Sequence, residues 1–238
     1  MTTSTTTGFA GFPAAGLDFL EGLARENTKA YFDAHRSTYQ SALLEPAKAF
    51  VVALGEELRA RVSPAIRAEP RVNGSILRIN RDTRFSADKV PYKEHLDFWL
   101  WEGEGPSRER PGYFVRLRPG TVTVGVGMHR FERPVLDAYR EAVGAERTGR
   151  ELEAAIARAT ELPGVTVGGG EAYKRVPQGY GPDHPRADLL RHNALYVSGE
   201  WDLPAEASEA RFAPWVAERL EQMAPVERWL TTVLAARA

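Results

Sequence analysis

Apolar residues in the first sixty or so positions recur at helical spacing. Leu17, Leu20, Leu23 and Ala24 form one such series. Phe32, His35, Tyr39 and Leu43 form a second beyond Asn27, which is placed to cap the helix that follows. On that reading His35 lies on an apolar helix face and belongs in the core. Glu45-Pro46 suits the first turn of a further helix, because proline lacks a donor that would be unpaired there anyway. Val51, Leu54, Leu58 and Val62 give that helix a single apolar stripe.

After Ser63-Pro64 the period changes. Residues 75–79 read as a short strand, and 96–101 as β-prone and apolar enough for a buried strand. Tyr113, Val115 and Leu117 alternate, as do Val122, Val124 and Val126, on either side of Pro119-Gly120. That pattern predicts a hairpin of strands 112–118 and 121–128. Helices are expected near 134–143 and 149–160, a strand at 165–167, and an irregular Pro/Gly-rich loop over 176–185. A short helix at 186–192 and a strand at 194–198 follow. Two terminal helices, 205–223 and 225–235, would bury Phe212, Trp215, Val216, Leu220, Trp229 and Leu230. Helices come first, then strands, then a mixture, without regular βαβ alternation. The fold class is therefore α+β, with N-terminal helices, a central and mainly antiparallel sheet, and C-terminal helices. Residues 1–8 read as a disordered, threonine-rich tail and 9–238 as one domain.

Composition narrows the function classes. The 31 Lys and Arg against 32 Asp and Glu leave a net charge of −1, which argues against nucleic acid as the partner. The absence of cysteine excludes disulfides, thiolate metal sites and thiol nucleophiles. No basic leader with an apolar run, and no apolar stretch of membrane-spanning length, is visible. A soluble, cytoplasmic protein without membrane partners is the expectation.

Charge is concentrated locally. Between Arg71 and His95 stand the cations Arg71, Arg78, Arg81, Arg84, Lys89 and Lys93, against Asp82, Asp88 and Glu94. Guanidinium forks and ammonium groups match phosphate or carboxylate oxygens. Arg78, Arg81, Arg84, Lys89 and Lys93 are therefore candidate anion ligands, with Asp82, Asp88 and Tyr92 as candidate acid–base groups. Phe85 and Tyr92 could stack on a ring, and for a nucleic acid Tyr92, Phe85 or Trp99 could serve as stacking platforms. The competing reading is structural, with the acids and bases of the stretch anchoring an irregular loop to itself. A second basic segment supplies Lys174, Arg175 and Tyr180 as ligand candidates and His184 as an acid–base candidate. The two segments are expected to meet in one cleft.

Other chemistry finds little support. Gly125-Val126-Gly127 lacks the last glycine of a dinucleotide fingerprint, and no phosphate-binding Walker pattern occurs. Ser86 lacks a nucleophile elbow. The five histidines show no metal-binding spacing, so neither a metal nor a cofactor is expected.

Four segments carry a resemblance: Lys29-Ala30-Tyr31-Phe32 through His35-Arg36 and Tyr39; the stretch from Arg81 to Lys93; Pro111-Gly112-Tyr113-Phe114; and Lys174 to Tyr180 leading to Asp183-His184-Pro185. Together they resemble a bacterial and fungal family of conserved hypothetical proteins, in which a tryptophan usually stands where Tyr31 is. The resemblance implies an α+β domain and carries over no activity, substrate or catalytic residue. From the residues alone, the leading expectation is a basic pocket for a phosphorylated or carboxylated small molecule, with an enzymatic role left open. The alternative is a nucleic-acid-binding or protein-interaction module whose charged block is structural. The oligomeric state is not encoded in any motif.

Overall fold

The computed structural model describes residues 8–84, 86–103, 109–170 and 173–235. The expected disordered tail therefore lies, but for Gly8, outside the described residues. Helices α1 (Ala14–Arg25), α2 (Lys29–Ala34), α3 (Arg36–Thr38) and α4 (Glu45–Arg61) come first, with a π-helical turn over Tyr39–Leu44. Strands β1 (Ile66–Arg67), β2 (Leu96–Glu102), β3 (Gly112–Arg118) and β4 (Thr121–Met128) follow. Helices α5 (Arg133–Gly144) and α6 (Glu146–Thr160) lead to β5 (Val165–Gly168), α7 (Ala187–Leu190), β6 (Leu195–Asp202) and the long α8 (Phe212–Ala235). The strands form a six-stranded antiparallel sheet in the order β1-β2-β3-β4-β6-β5, so the fold is α+β with helices at both ends of the chain.

The chain forms two compact units. One comprises the N-terminal part up to Gly103 with Phe114–Thr123 and Trp201–Glu218, and the other comprises Glu104–Tyr113, Val124–Glu200 and the chain from Arg219. In the first unit, Phe12 sits among Phe9, Phe50, Phe98 and Phe212, with ring centroids 5.4 to 6.3 Å away. Burial of each such ring stabilises by about 1.5–3 kcal/mol. The backbone before Phe12 turns at Gly11 with φ of 110°, where a Cβ would lie 2.1 Å from the Ser208 carbonyl carbon, so only glycine fits.

A second aromatic cluster joins Phe19, Phe32 and Tyr39. Two residues of this region depart from what the periodicity predicts. Thr28, not Asn27, caps α2, its Oγ1 accepting the Tyr31 N–H at 3.1 Å. His35 is exposed rather than buried, because its backbone (φ −107°, ψ 16°) leaves the helical region and breaks the phase between Phe32 and Tyr39. Its ring stacks on Tyr31 at 4.1 Å.

The β3–β4 hairpin follows the alternation. Tyr113, Val115, Leu117, Val122 and Val124 are fully buried, and Gly120 takes the positive φ (79°) of the two-residue turn. Residues 75–79 do not form a strand of the sheet. They meet β2 through an isolated bridge at Ile76 and Phe98, with Leu77 N–H donating to Asp97 O at 2.9 Å and Trp99 N–H to Ser75 O at 2.9 Å.

In the second unit, α5 and α6 meet at Ala145, and Arg186 is buried against them. Its Nε donates to Val143 O at 2.7 Å, and its terminal nitrogens lie 3.3 Å from Glu146 and Glu153. Gly149 makes room for it, since a Cβ there would sit 2.3 Å from Nε. The expected pair of terminal helices is one continuous helix through Pro225, preceded by a 3₁₀ turn at Ala205–Ser208. A proline inside a helix costs about 3 kcal/mol. Met223, Ala224, Val226, Trp229 and Leu230 are all buried around it, and their combined burial outweighs that cost.

Candidate functional site

The charged stretch is an irregular excursion closed at its base. Asn80 and Tyr92 form an antiparallel bridge, Arg81 N–H donates to Pro91 O at 2.9 Å and Lys93 N–H to Ile79 O at 2.8 Å. The Asn27 carboxamide grips the far end of the closure, donating to Tyr92 O and accepting from Tyr92 N–H, both at 3.0 Å. The Tyr92 ring is buried and stacks on Phe32 at 4.4 Å, nearly parallel. Asn27 thus serves as a clamp on a distant backbone rather than as a helix cap.

Within the excursion, charges meet one another. Arg81 donates to Asp88 Oδ2 at 2.6 Å, and Asp88 Oδ1 accepts the Val90 N–H at 3.0 Å. The Val90 amide, then Arg81, hold the Asp88 carboxyl below its ordinary range. Arg84 grips Asp82 with two donors at 2.9 and 2.7 Å, and the Arg84 side chain and amide hold that carboxyl at about 2. Lys89 donates to Thr83 O at 2.9 Å. Arg78 is exposed, and Phe85 lies outside the described residues.

Beside this excursion the first unit contains a cavity of about 860 Å³. Its walls come from four places. The end of α1 gives Glu21, Ala24 and Arg25, the excursion gives Arg81 and Asp88, the approach to β2 gives Tyr92, Lys93, Glu94 and His95, and the β3–β4 turn gives Arg118 and Pro119. Under the floor lies Asp97 on β2, only 3% exposed. Lys93 Nζ donates to Asp97 Oδ2 at 2.9 Å, Arg116 Nε donates to Oδ1 at 2.7 Å, and His95 Nε2 stands 3.4 Å from Oδ2. Burial alone would push this carboxyl up. The ring of His95, Arg116 and Lys93 outweigh burial and hold it well below the carboxylate range. One buried negative charge therefore faces two permanent positive charges and a histidine. The surplus is positive, and Lys93 and His95 carry it to the cavity wall.

Of the sequence-derived candidates, the cavity gathers Arg81, Asp88, Tyr92 and Lys93. Asp82, Arg84, Lys89 and Arg78 do not line it. Lys174, Arg175, Tyr180 and His184 belong to the second unit, while the described residues that line the cavity belong to the first. There, Tyr180 donates its hydroxyl to Arg140 O at 2.9 Å, and His184 Nδ1 accepts the Arg186 N–H at 3.1 Å. Lys174 and Arg175 are exposed. Among the described residues, no group of three or more His, Asp or Glu is arranged to hold a metal ion.

Against known families, residues 15–229 match the one described as conserved hypothetical protein, DUF2461. The chain belongs to that family. No curated protein and no solved structure matches it. In this DUF2461 member, sequence reading missed Asp97, His95, Arg116 and Arg118. The signal was present. An aspartate inside the apolar run Leu96-Asp97-Phe98-Trp99-Leu100-Trp101 must find cations once buried, and the alternation of β3 puts Arg116 and Arg118 together on the face opposite Val115 and Leu117.

Proposed function

We propose that the cavity binds a small anionic molecule bearing a phosphoryl or carboxyl group. The observation that carries this reading is the surplus of positive charge around buried Asp97, presented to the cavity by Lys93 and His95. Arg81 and Arg118 add guanidinium groups from two other segments. A volume of about 860 Å³ suits a metabolite-sized ligand. Asp97 already immobilises Lys93, so less side-chain freedom is lost when an anion arrives. Should the site perform chemistry, His95 is the lining group suited to moving a proton, with Asp97 orienting its ring. Asp88, held ionised by Val90 and Arg81, is suited to anchoring Arg81 rather than to acting as a base.

Titration with inorganic phosphate, pyrophosphate and citrate, followed by thermal unfolding and calorimetry, tests the reading. A saturable rise in Tm is expected for at least one anion, and Lys93→Ala should weaken that binding about tenfold, the worth of one charge-assisted hydrogen bond. No stabilisation by any of the three would sink it. A second reading is supported by the pairs Arg81–Asp88 and Asp82–Arg84, in which the excursion satisfies its own charges. The block then serves to hold the loop, and Arg81→Ala lowers stability with no separate effect on anion binding.

A further inference from the structure

The cavity wall is not uniformly basic, and its acids differ in how they are satisfied. Asp88 is held by Arg81 at 2.6 Å and by the Val90 amide. Glu21 sits 3.7 Å from Arg25 in a loose pair whose side chains are both more than half exposed. Glu94 lines the same cavity between Lys93 and His95 in the chain, and it makes no hydrogen bond or ion pair with any described residue. Lys93 and His95, its neighbours on both sides, turn to Asp97 instead. The cavity thus holds a positive region organised by a buried carboxylate and, beside it, a carboxylate without a counter-charge.

A purely anionic ligand seated on Lys93 and His95 would bring its negative charge toward Glu94, and like charges at close range oppose binding. A ligand with a protonated amine a few bonds from its anionic group removes that opposition and gives Glu94 a donor. We infer that the molecule recognised here is a zwitterion, a phosphorylated or carboxylated primary amine, with Lys93 and His95 on the anionic group and Glu94 on the ammonium. This rests on the anion-binding reading and adds a specificity-determining residue to it. Glu94 is exposed, so its substitution leaves the packing of the unit intact.

The experiment compares matched pairs by calorimetry at low salt: O-phosphoethanolamine against ethyl phosphate, and β-alanine against propionate. In at least one pair, the amine-bearing compound is expected to bind about three- to fivefold more tightly, the worth of a solvent-accessible ion pair. Glu94→Gln should abolish that gain while leaving the affinity for the amine-free compound unchanged or slightly raised. Equal affinities within both pairs, or a gain that survives in Glu94→Gln, overturn the zwitterion inference while leaving anion binding intact. If none of the four compounds binds and the inorganic anions also fail, the anion-binding reading itself falls.

Discussion

Both units bury charged side chains, and Asp97 and Arg186, one from each unit, are of opposite sign. In the first, a carboxylate, Asp97, lies 3% exposed beneath Lys93, His95 and Arg116. In the second, a guanidinium, Arg186, lies 5% exposed between Glu146 and Glu153. Arg186 uses its donors on a backbone carbonyl and on two acids, one of which, Glu146, also holds Arg150, so two positive charges meet two negative ones within the unit. Asp97 gathers more positive charge than it can neutralise, and the excess lies on a cavity wall. A buried charge that is merely matched holds a fold together, whereas one that is overmatched leaves a field that a ligand can meet.

The largest expected effect comes from removing the buried carboxylate. Asp97→Ala leaves Lys93 and Arg116 facing each other without a counter-charge and should destabilise the protein by about 3 kcal/mol. That is the lower end of the range for a broken buried pair, because both cations can turn toward water. Urea unfolding measures it. A change below about 1 kcal/mol would mean that the cluster is solvated enough to be dispensable. Arg186→Met should cost less, about 2 kcal/mol. It keeps the volume and removes the hydrogen bond to Val143 O, while Glu146 and Glu153 simply remain in water. Equal losses in the two variants would erase the distinction between matched and overmatched charge.

The contrast also explains what could be read from the sequence. The hairpin was legible because Tyr113, Val115 and Leu117 alternate around a turn with glycine where a positive φ is required. The helical phase of Phe32 and Tyr39 was legible, while the loss of phase at His35 was not. A break in backbone conformation followed by a π-helical turn leaves no mark in hydrophobic spacing. Pro225 marks a helix boundary locally, yet tertiary burial on both sides carries the helix through it. The dense block from Arg81 to Lys93 contributes Arg81, Asp88, Tyr92 and Lys93 to the cavity lining. Within that block, residue type could not separate Lys93, which reaches the Asp97 cluster, from Arg84, which turns back on Asp82. Glu21, Arg25 and Arg118 enter the same cavity from elements far apart in the chain, and only the fold brings them together.

Acid sharpens the comparison on a smaller scale. Asp97 has a folded-state proton affinity far below its ordinary value of 3.8. Its stabilising contribution is therefore complete above the unfolded value and fades as pH falls through the folded one. Between pH 5 and pH 3 the unfolded chain takes up protons that folded Asp97 refuses, so about 1 kcal/mol of stability should be lost to this one group. Asp97→Asn should flatten that limb of the stability–pH curve. Glu146 is also held low, by Arg150 first and then by Arg186, but it is exposed and salt-screened. Glu146→Gln should leave the limb nearly as steep as in the parent protein. A flat limb in the parent, or a steep one in Asp97→Asn, would break the link between burial and acid sensitivity.

The smallest effect belongs to a pair that makes two short contacts. Arg84 meets Asp82 through two donors at 2.9 and 2.7 Å, a two-pronged fork. Its side chains are 76% and 40% exposed, and the partners lie two residues apart in an irregular loop. Water competes for every donor, salt screens the attraction, and the short loop lets the same pair form in the unfolded chain, so folding gains little from it. Arg84→Ala should leave the urea midpoint and the phosphate affinity unchanged, whereas Lys93→Ala, from the same charged block, should weaken phosphate binding. A loss of anion affinity in Arg84→Ala equal to that in Lys93→Ala would show that the block acts as a diffuse basic surface. The distinction between an overmatched buried centre and a self-satisfied loop would then give way to one of net local charge.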